Sequence, residues 1–347
     1  MTLATINQVK ALIQLLCAEE SRTNTRLVRE KIIELGTLCI PFLEEALVRA
    51  DMMEHERIES VLQDIRWLDL EGQFRSWAGK GSGPSEPLAL PGRARGVGAS
   101  EDQHLVLPHG PPQIDLEEGA FLLARFCYPD LDVAKYKSAL DRMAVEVKPG
   151  IKSLEKSSSA RLALPVRTQG LGGTCLPAGR SEERRPHGPD IKVVRILNDH
   201  LFNHLGFHGN TVNYYDPDNS YLNQVIDQRM GIPISLSVVM LLVAKRLGLP
   251  LVGVGLPGHF LIRYEGAGQK TDQHLYIDPF NRGQILSKEE CTKFIKEAGY
   301  EYREEYFRTS TSSEILVRMM RNLIFVYNRL REIQKVEWLS RYVMAIT

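Results

Sequence analysis

The sequence predicts an α+β fold in which helices dominate both ends of the chain and a small sheet lies near its middle. Apolar residues recur at helical spacing over most of the 347 residues. Residues 233–278 depart from this pattern, because a nearly all-apolar helix is followed there by β-rich runs. A helix that is apolar on every side must be buried. We therefore expect a core made of one buried helix packed on a small, mainly antiparallel sheet, with helical regions before and after it.

The first part of the chain, residues 1–78, is predicted to be a helical region. The run LVREKIIELGTLCIPFLEEAL, which begins at Leu27, resembles a HEAT-type helical pair. One such pair cannot bury both of its faces, so we expect it to pack on a neighbouring helix. A further helix is predicted from Ile58 to Trp77 on the same apolar spacing.

Two segments rich in Gly and Pro interrupt the helical pattern, at residues 79–113 and 157–190. Neither can bury enough apolar area to offset the entropy of ordering the chain, so both are predicted to be disordered inserts. The residues between them, 114–156, are predicted to be the helical start of the core domain. This part opens at Asp115, which is an N-cap residue followed by an acidic first turn.

The core domain continues over residues 191–308. Its buried helix is bounded by Pro233 just inside the start and Gly248 just past the end, and we expect Leu242 and Val243 to be fully buried within it. Three β-rich runs follow the helix: Leu251–Leu256, His259–Tyr264 and Leu275–Ile277. The order along the chain is therefore buried helix, strand, turn, strand, loop and strand.

Residues 309–347 are predicted to form a helical C-terminal tail. Ser313 to Ala345 is helical in pattern throughout. The run RNLIFVYNRLREIQKVEWLSRYVMAI weakly resembles one tetratricopeptide-type helical pair. Upstream of this tail, Ser287 and Glu290 have the spacing of a capping box that begins another helix.

The element order of the core resembles that of the transglutaminase and papain-like superfamily, and its motifs resemble the SirB-type transglutaminase-like family. Three motifs carry the resemblance: NSYLNQVIDQRMGIPISLS, LPGHFLIR and YIDPFN. The resemblance implies a nucleophilic Cys at the start of the buried helix, a His at the start of a strand and an Asp on the next strand. It therefore points to His259 and Asp278. The Cys position falls at Pro233, which has no nucleophile, so the thiolate of a Cys–His pair is missing.

His259 and Asp278 are the best candidates for catalytic residues. In the fold that the resemblance implies, their side chains face each other across neighbouring strands, where a carboxylate orients an imidazole and raises its basicity. The alternative is that the pair only holds two strands together. Ser235 is the candidate for a replacement nucleophile, although a serine at the start of a helix commonly caps it.

Three further polar residues are candidates for binding. Asn219 and Asn223 lie in the polar stretch before the core helix, and an amide there can donate a hydrogen bond to a bound carbonyl. Local turn hydrogen bonds are the competing interpretation for both. Ser237 lies close to the helix start and is open to the same two interpretations as Ser235.

No metal or cofactor is predicted. His200, His204 and His208 are spaced four apart, which places the first two on one helix face, but the motif lacks the Glu of a zinc H-E-x-x-H sequence. The chain contains neither a phosphate-binding loop motif nor a dinucleotide fingerprint in a strand–helix context.

Composition narrows the class of protein. Lys plus Arg equals Asp plus Glu, at 43 each, so charge gives no support for a nucleic-acid or anionic-membrane partner. No apolar run reaches the roughly 18 residues that a membrane helix requires, and the N-terminus lacks a signal-peptide layout. The five cysteines are odd in number and form no C-x-x-C pair, which favours a reducing compartment. We expect a cytoplasmic protein.

Two functions are compatible with these features. The first is a non-catalytic binding, scaffold or regulatory module whose helical flanks bind protein partners. The second is a hydrolase or acyl-transferase that uses His259 and Asp278 with Ser235 or an activated water. An enzyme of the second kind needs a nucleophile oxygen within about 3.5 Å of a ring nitrogen of His259.

Overall fold

A computed structural model describes residues 3–18, 21–79, 115–162, 191–265 and 274–347. Over these residues the protein has an α+β fold, as predicted. The chain divides into two compact units: unit 1 is Met1–Leu131 with Glu332–Thr347, and unit 2 is Asp132–Arg331. The predicted first insert, residues 79–113, lies outside the described residues except for Gly79, which ends a helix.

Unit 1 is built from helices in its described residues. They are α1 (Leu3–Ala18), α2 (Arg22–Leu35), α3 (Ile40–Leu47), α4 (Met52–Gly79), α5 (Leu116–Arg125) and, from the end of the chain, α12 (Ile333–Ile346). The first four pack around a shared apolar cluster that includes Val9, Ile32 and Leu43. Asp115 caps α5, as predicted, because its carboxylate accepts a hydrogen bond from the Glu117 backbone N–H at 2.8 Å.

Unit 2 carries the sheet. Its helices are α6 (Val133–Leu162), α7 (Ile191–Asp199), α8 (Leu222–Gln228), α9 (Pro233–Arg246), α10 (Lys288–Glu297) and α11 (Ser312–Leu330). Its strands are β1 (His208–Gly209), β2 (Met230–Gly231), β3 (Leu251–Leu256), β4 (His259–Tyr264), β5 (Leu275–Asp278) and β6 (Gln284–Leu286). The last four form one antiparallel sheet in chain order, and β1 pairs with β2 in parallel.

Helix α9 is the buried helix that the sequence predicts, and it packs against β3 and β4. It begins at Pro233, whose missing N–H costs nothing in the first turn of a helix. Leu242 and Val243 are both buried, as expected. The chain turns after α9 at Gly248, whose φ of 66° lies in the left-handed region that glycine adopts without a Cβ clash.

Three local features differ from the expectations. Helix α6 continues to Leu162, past the predicted start of the second insert at Ser157, because residues 157–162 contain neither Gly nor Pro. The rest of that insert, residues 163–190, lies outside the described residues. The segment that carries His200 and His204, which we expected to be α-helical, is a π-helical turn, His200–His204, that follows α7. Helix α8 and strand β6 were not predicted, since both are short.

The predicted tail, residues 309–347, is divided between the two units. Helix α11 belongs to unit 2 and ends at Leu330, because the next residue, Arg331, has a φ of 61° that breaks the helical run. Helix α12 belongs to unit 1, where the Tyr342 hydroxyl donates to the backbone carbonyl of Trp67 at 2.9 Å. None of the helices in the described ranges combines the length and apolar composition that crossing a bilayer requires.

Candidate functional site

The structure brings His259 and Asp278 into direct contact in unit 2. His259 opens β4 and Asp278 ends β5, and the antiparallel pairing of these strands places both residues at one edge of the sheet. The Nε2 of His259 lies 2.7 Å from Oδ2 of Asp278. Their side chains are 11% and 5% exposed, so this contact is largely removed from water.

Asp278 is held by more than the histidine. Its Oδ1 accepts hydrogen bonds from the backbone N–H groups of Phe280 and Asn281, and its Oδ2 also accepts one from the Asn281 side-chain amide. Burial raises the pKa of the Asp278 carboxyl, but the hydrogen bonds from His259 and Asn281 outweigh burial and hold the pKa below its usual value. An ionised Asp278 favours the proton on Nε2, which leaves Nδ1 of a neutral His259 as an acceptor.

Aromatic rings flank His259. The Phe280 ring lies edge-on with its centroid 6.3 Å from that of the imidazole, and the Phe294 centroid lies at 5.3 Å. Phe280 rests directly on the backbone of Gly209, where an added Cβ would come within 2.4 Å of Cδ2 of the ring. The Gly209 N–H also donates to the Phe280 carbonyl at 3.1 Å. A glycine in β1 is therefore needed to seat the ring beside His259.

Arg318 of α11 holds the backbone at the start of β4, where His259 lies. The sequence did not indicate this role. Its Nη2 donates to the backbone carbonyls of Leu256 at 2.8 Å and His259 at 2.6 Å, which ties together the two ends of the β3–β4 turn. Its guanidinium lies 5.5 Å from the centroid of the Phe260 ring. An arginine on an amphipathic helix carries no local sequence signal for this role.

The hydroxyl of Ser235, near the start of α9, is used by the fold. Ser235 is fully buried, and its Oγ donates to the Asn219 carbonyl at 2.5 Å and accepts from the Ile232 backbone N–H at 3.1 Å. A Cβ at Gly231 would lie 2.6 Å from this Oγ, so the glycine makes room for the hydroxyl. Ser237 is also fully buried, and its Oγ donates to the Pro233 carbonyl at 2.8 Å.

Asn219 and Asn223 have different surroundings. The Asn219 amide donates to the carbonyls of Asn213 at 2.7 Å and Tyr214 at 3.1 Å, and its Oδ1 accepts from Asn210 at 3.0 Å. Asn219 therefore fixes the turn before α8. Asn223, on α8, has a buried Oδ1 that accepts no hydrogen bond from the described residues. A ligand contact of Asn223 stays a prediction.

The histidines singled out by their spacing do not form a metal site among the described residues, which contain no suitable group of three or more His, Cys, Asp or Glu. The His200 and His204 ring centroids are 6.1 Å apart. The Nε2 of His200 lies 3.2 Å from Oε2 of Glu146. The Nδ1 of His208 lies 2.9 Å from the Gly206 carbonyl.

Cys291 is the cysteine of unit 2 among the described residues, and its surroundings do not favour a thiolate. Cys291 of α10 is fully buried, and burial, with the charges of Glu290 and Asp278, raises the pKa of its thiol to about 12. Such a thiol stays protonated and unreactive near neutral pH. Cys127 belongs to unit 1, whereas His259 belongs to unit 2.

Comparison with known proteins identifies the family. Residues 134–321 match the model of the transglutaminase-like superfamily. The UPF0162 protein of Xylella fastidiosa (strain 9a5c) is 44% identical over 140 residues, which cover 39% of this chain and 48% of the relative. F-box only protein 21 of Mus musculus is 31% identical over 216 residues, which cover 61% of this chain and 32% of the relative. F-box only protein 21 of Homo sapiens is similar to the same degree, at 30% identity over 218 residues.

The chain thus spans about half the length of the UPF0162 relative and about a third of the length of the F-box relatives. No solved structure matches the chain significantly. The superfamily model covers more than half of the 347 residues and includes the His–Asp pair, the buried helix and the whole sheet. The chain therefore belongs to the transglutaminase-like superfamily.

Proposed function

We propose that this chain is a SirB-type member of the superfamily and that its transglutaminase-like unit is a non-catalytic binding module. The observation that carries the proposal is the start of α9, where Pro233 occupies the position that the resemblance assigns to the nucleophile. Proline offers neither a thiol nor a backbone N–H at this turn. In this interpretation the contact between His259 and Asp278 holds the start of β4 and the end of β5 together.

The neighbouring hydroxyls support the same proposal. Ser235 and Ser237 are fully buried, and each donates its hydroxyl proton to a backbone carbonyl, Ser235 to that of Asn219 and Ser237 to that of Pro233. A serine acts as a nucleophile when its hydroxyl donates to a general base. Using Ser235 in that way would break the bond to Asn219 that anchors the turn to α9. The helical flanks, residues 1–78 and 309–347, are proposed to bind protein partners.

One observation favours a second candidate, a hydrolase that activates water. The Nε2 of His259 is engaged by Asp278, while its Nδ1 makes no hydrogen bond with the described residues. A base oriented in this way can take a proton from a water molecule without any protein nucleophile. Such an enzyme would depend on His259 and would tolerate the loss of the Ser235 hydroxyl.

Turnover assays separate these functions. We would measure hydrolysis of peptide, ester and amide substrates, and amine incorporation into a glutamine substrate, for the wild type, His259→Ala and Ser235→Ala. His204→Ala, which alters an exposed histidine of the same unit, is the matched control. A non-catalytic module gives no turnover above the no-protein background in any of these proteins.

Wild-type turnover that is lost in His259→Ala but kept in His204→Ala would overturn the proposal. Retention of that turnover in Ser235→Ala would then identify the water route, and its loss would identify the serine route, provided that circular dichroism shows the variant folded. Treating the wild type with a thiol alkylator should leave its measured turnover unchanged. Loss of turnover after alkylation of Cys127 would instead point to a cysteine mechanism.

A further inference from the structure

A surface of unit 2 presents aromatic rings and arginine together. We call it the aromatic–arginine surface and define it by Tyr214, Tyr215, Phe325 and Arg329. The Tyr215 ring lies 5.3 Å from that of Tyr214 and 5.8 Å from that of Phe325, measured between centroids. The Arg329 guanidinium lies over Tyr215 at 4.3 Å and over Phe325 at 5.9 Å. The four side chains therefore form one contiguous patch.

This patch is exposed although its rings are large and apolar. Tyr214, Tyr215 and Phe325 are 38%, 45% and 52% exposed. Aromatic residues and arginine are enriched at the centres of protein interfaces, and a tyrosine there buries much area at a small cost in side-chain entropy. A contiguous exposed group of this kind marks an interaction site more often than a scattered exposed residue does.

Hydrogen bonds of buried Asn219 hold the turn that carries Tyr214 and Tyr215 in place. The buried amide of Asn219 donates to the carbonyl of Tyr214, and Asn210 donates to the Asn219 side chain. The Tyr214 ring also lies edge-on to Phe280, with centroids 5.9 Å apart. A surface held in this way loses little conformational entropy when it binds a partner. Asn219 is thus a positioning residue for the tyrosines.

Helix α11 supplies the basic part of the patch. Arg321, Phe325 and Arg329 are all exposed and follow one another at intervals of four residues, so they share one face of the helix. Neither arginine forms an ion pair or side-chain hydrogen bond within the described part of the chain. Asp216, in the tyrosine turn, already accepts hydrogen bonds from Asn213 and Asp218 on its two oxygens. The guanidinium groups of Arg321 and Arg329 therefore offer positive charge to a partner.

We propose that the aromatic–arginine surface binds an acidic segment of a partner protein in which carboxylates alternate with aromatic, aliphatic or proline side chains. This proposal rests on the proposed function, since it names the partner class of the binding module. Carboxylates of the segment pair with the forked guanidinium groups of Arg329 and Arg321. The intervening side chains lie against the rings of Tyr215 and Phe325.

Single-stranded nucleic acid is the competing partner class, because bases also stack on aromatic side chains beside arginines. The structure favours the acidic peptide. Nucleic-acid affinity depends on many phosphate contacts along a basic groove, whereas this face of α11 carries two arginines.

Fluorescence anisotropy of the full chain tests the proposal. The probe is a fluorescein-labelled pool of short peptides in which glutamate alternates with tyrosine, leucine or proline. We expect saturable binding that weakens about tenfold or more in Arg329→Ala and in Tyr215→Ala, since central interface residues of these types carry most of the binding energy. Phe325→Ala, on a different element from Tyr215, should weaken binding as well. Arg142→Ala and Tyr300→Ala, which alter exposed residues elsewhere in unit 2, are the matched controls.

Several outcomes would overturn the inference. They are absence of saturable binding to the wild type, equal binding of a pool in which lysine replaces glutamate, and equal losses in the two control variants. Tighter binding of a labelled single-stranded oligonucleotide, or self-association through this patch detected by sedimentation, would also overturn it. Mass spectrometry of the bound peptides distinguishes failure of the docking surface from failure of the proposed non-catalytic function. Intact peptides support both, whereas cleavage of bound peptides refutes the non-catalytic function and leaves the docking surface standing.

Discussion

Substitution of Asp278 by asparagine tests the structural importance of the His–Asp pair most directly. The wild-type carboxylate accepts four hydrogen bonds, two on each oxygen. In Asp278→Asn one oxygen becomes an NH₂ group, so two of the donors that surround it lose their acceptor whichever way the amide is turned. Two lost bonds at about 0.5–1.5 kcal/mol each, with the added cost of buried donors left unsatisfied, predict a loss of about 2–4 kcal/mol in unfolding free energy.

The pH dependence gives a second and independent readout. The pKa of Asp278 is lower in the folded protein than its usual value. Its ionised form therefore stabilises the fold above the unfolded-state pKa of about 3.9, and this stability is lost as the pH falls through the folded-state pKa. The difference in unfolding free energy between the wild type and Asp278→Asn should therefore shrink only below about pH 4.

Urea unfolding followed by circular dichroism, from about pH 7 to about pH 3, measures both effects. Asp141→Asn is the matched control, because the Asp141 side chain is 64% exposed and pairs with Arg246 at 2.5 Å on the surface of the same unit. That substitution should change stability by less than about 0.5 kcal/mol. If Asp278→Asn cost no more than the control near neutral pH, or if its deficit stayed constant into acid, our account of this pair would be wrong.

Three further predictions concern the core and the cysteines. Leu242→Ala, in the buried helix α9, should lower the unfolding free energy by about 2–5 kcal/mol, and a urea-denaturation loss below about 1 kcal/mol would contradict its central position. Gly209→Ala should cost about 1–3 kcal/mol because the new methyl group displaces the Phe280 ring, and an unchanged thermal midpoint would refute that packing. Cys291 should resist iodoacetamide in the folded protein at mildly alkaline pH and react once urea is added, as peptide mass mapping would show. Its modification in the folded state would contradict the burial of the thiol.

Strands β3 and β4 could be predicted with their observed bounds because the signals that define them are local. The Pro257-Gly258 turn separates two runs of strand-forming residues, and Gly258 adopts the left-handed φ of 71° that such a turn requires. By contrast, β6 has three residues and α8 has seven, which is too short for a period to be visible. The π-helical turn at His200–His204 depends on hydrogen-bond spacing, which residue order does not reveal.

Prediction of the candidate site was limited in the same way, because local sequence signals do not reveal contacts between distant residues. The sequence pointed to His259 and Asp278 through a family resemblance, and the structure places them in contact. Whether Ser235 could reach a base was open, because the answer depends on its bond to a carbonyl 16 residues earlier in the chain. Tyr215 and Phe325 lie more than a hundred residues apart, so the exposed surface that they share has no signature in either segment.

The placement of α12 in unit 1 has a consequence for biosynthesis. Trp338 and Tyr342 of α12 cover Trp67 of α4, with the Trp67–Trp338 ring centroids 6.0 Å apart and Tyr342 bonded to the Trp67 carbonyl. A ribosome must therefore translate all of Asp132–Arg331 between making Trp67 and making the helix that shields it. At about 5–20 residues per second, translation of Asp132–Arg331 alone takes roughly 10–40 s. During that time the nascent N-terminal helices present an uncovered aromatic face, which is the kind of surface that ribosome-associated chaperones bind.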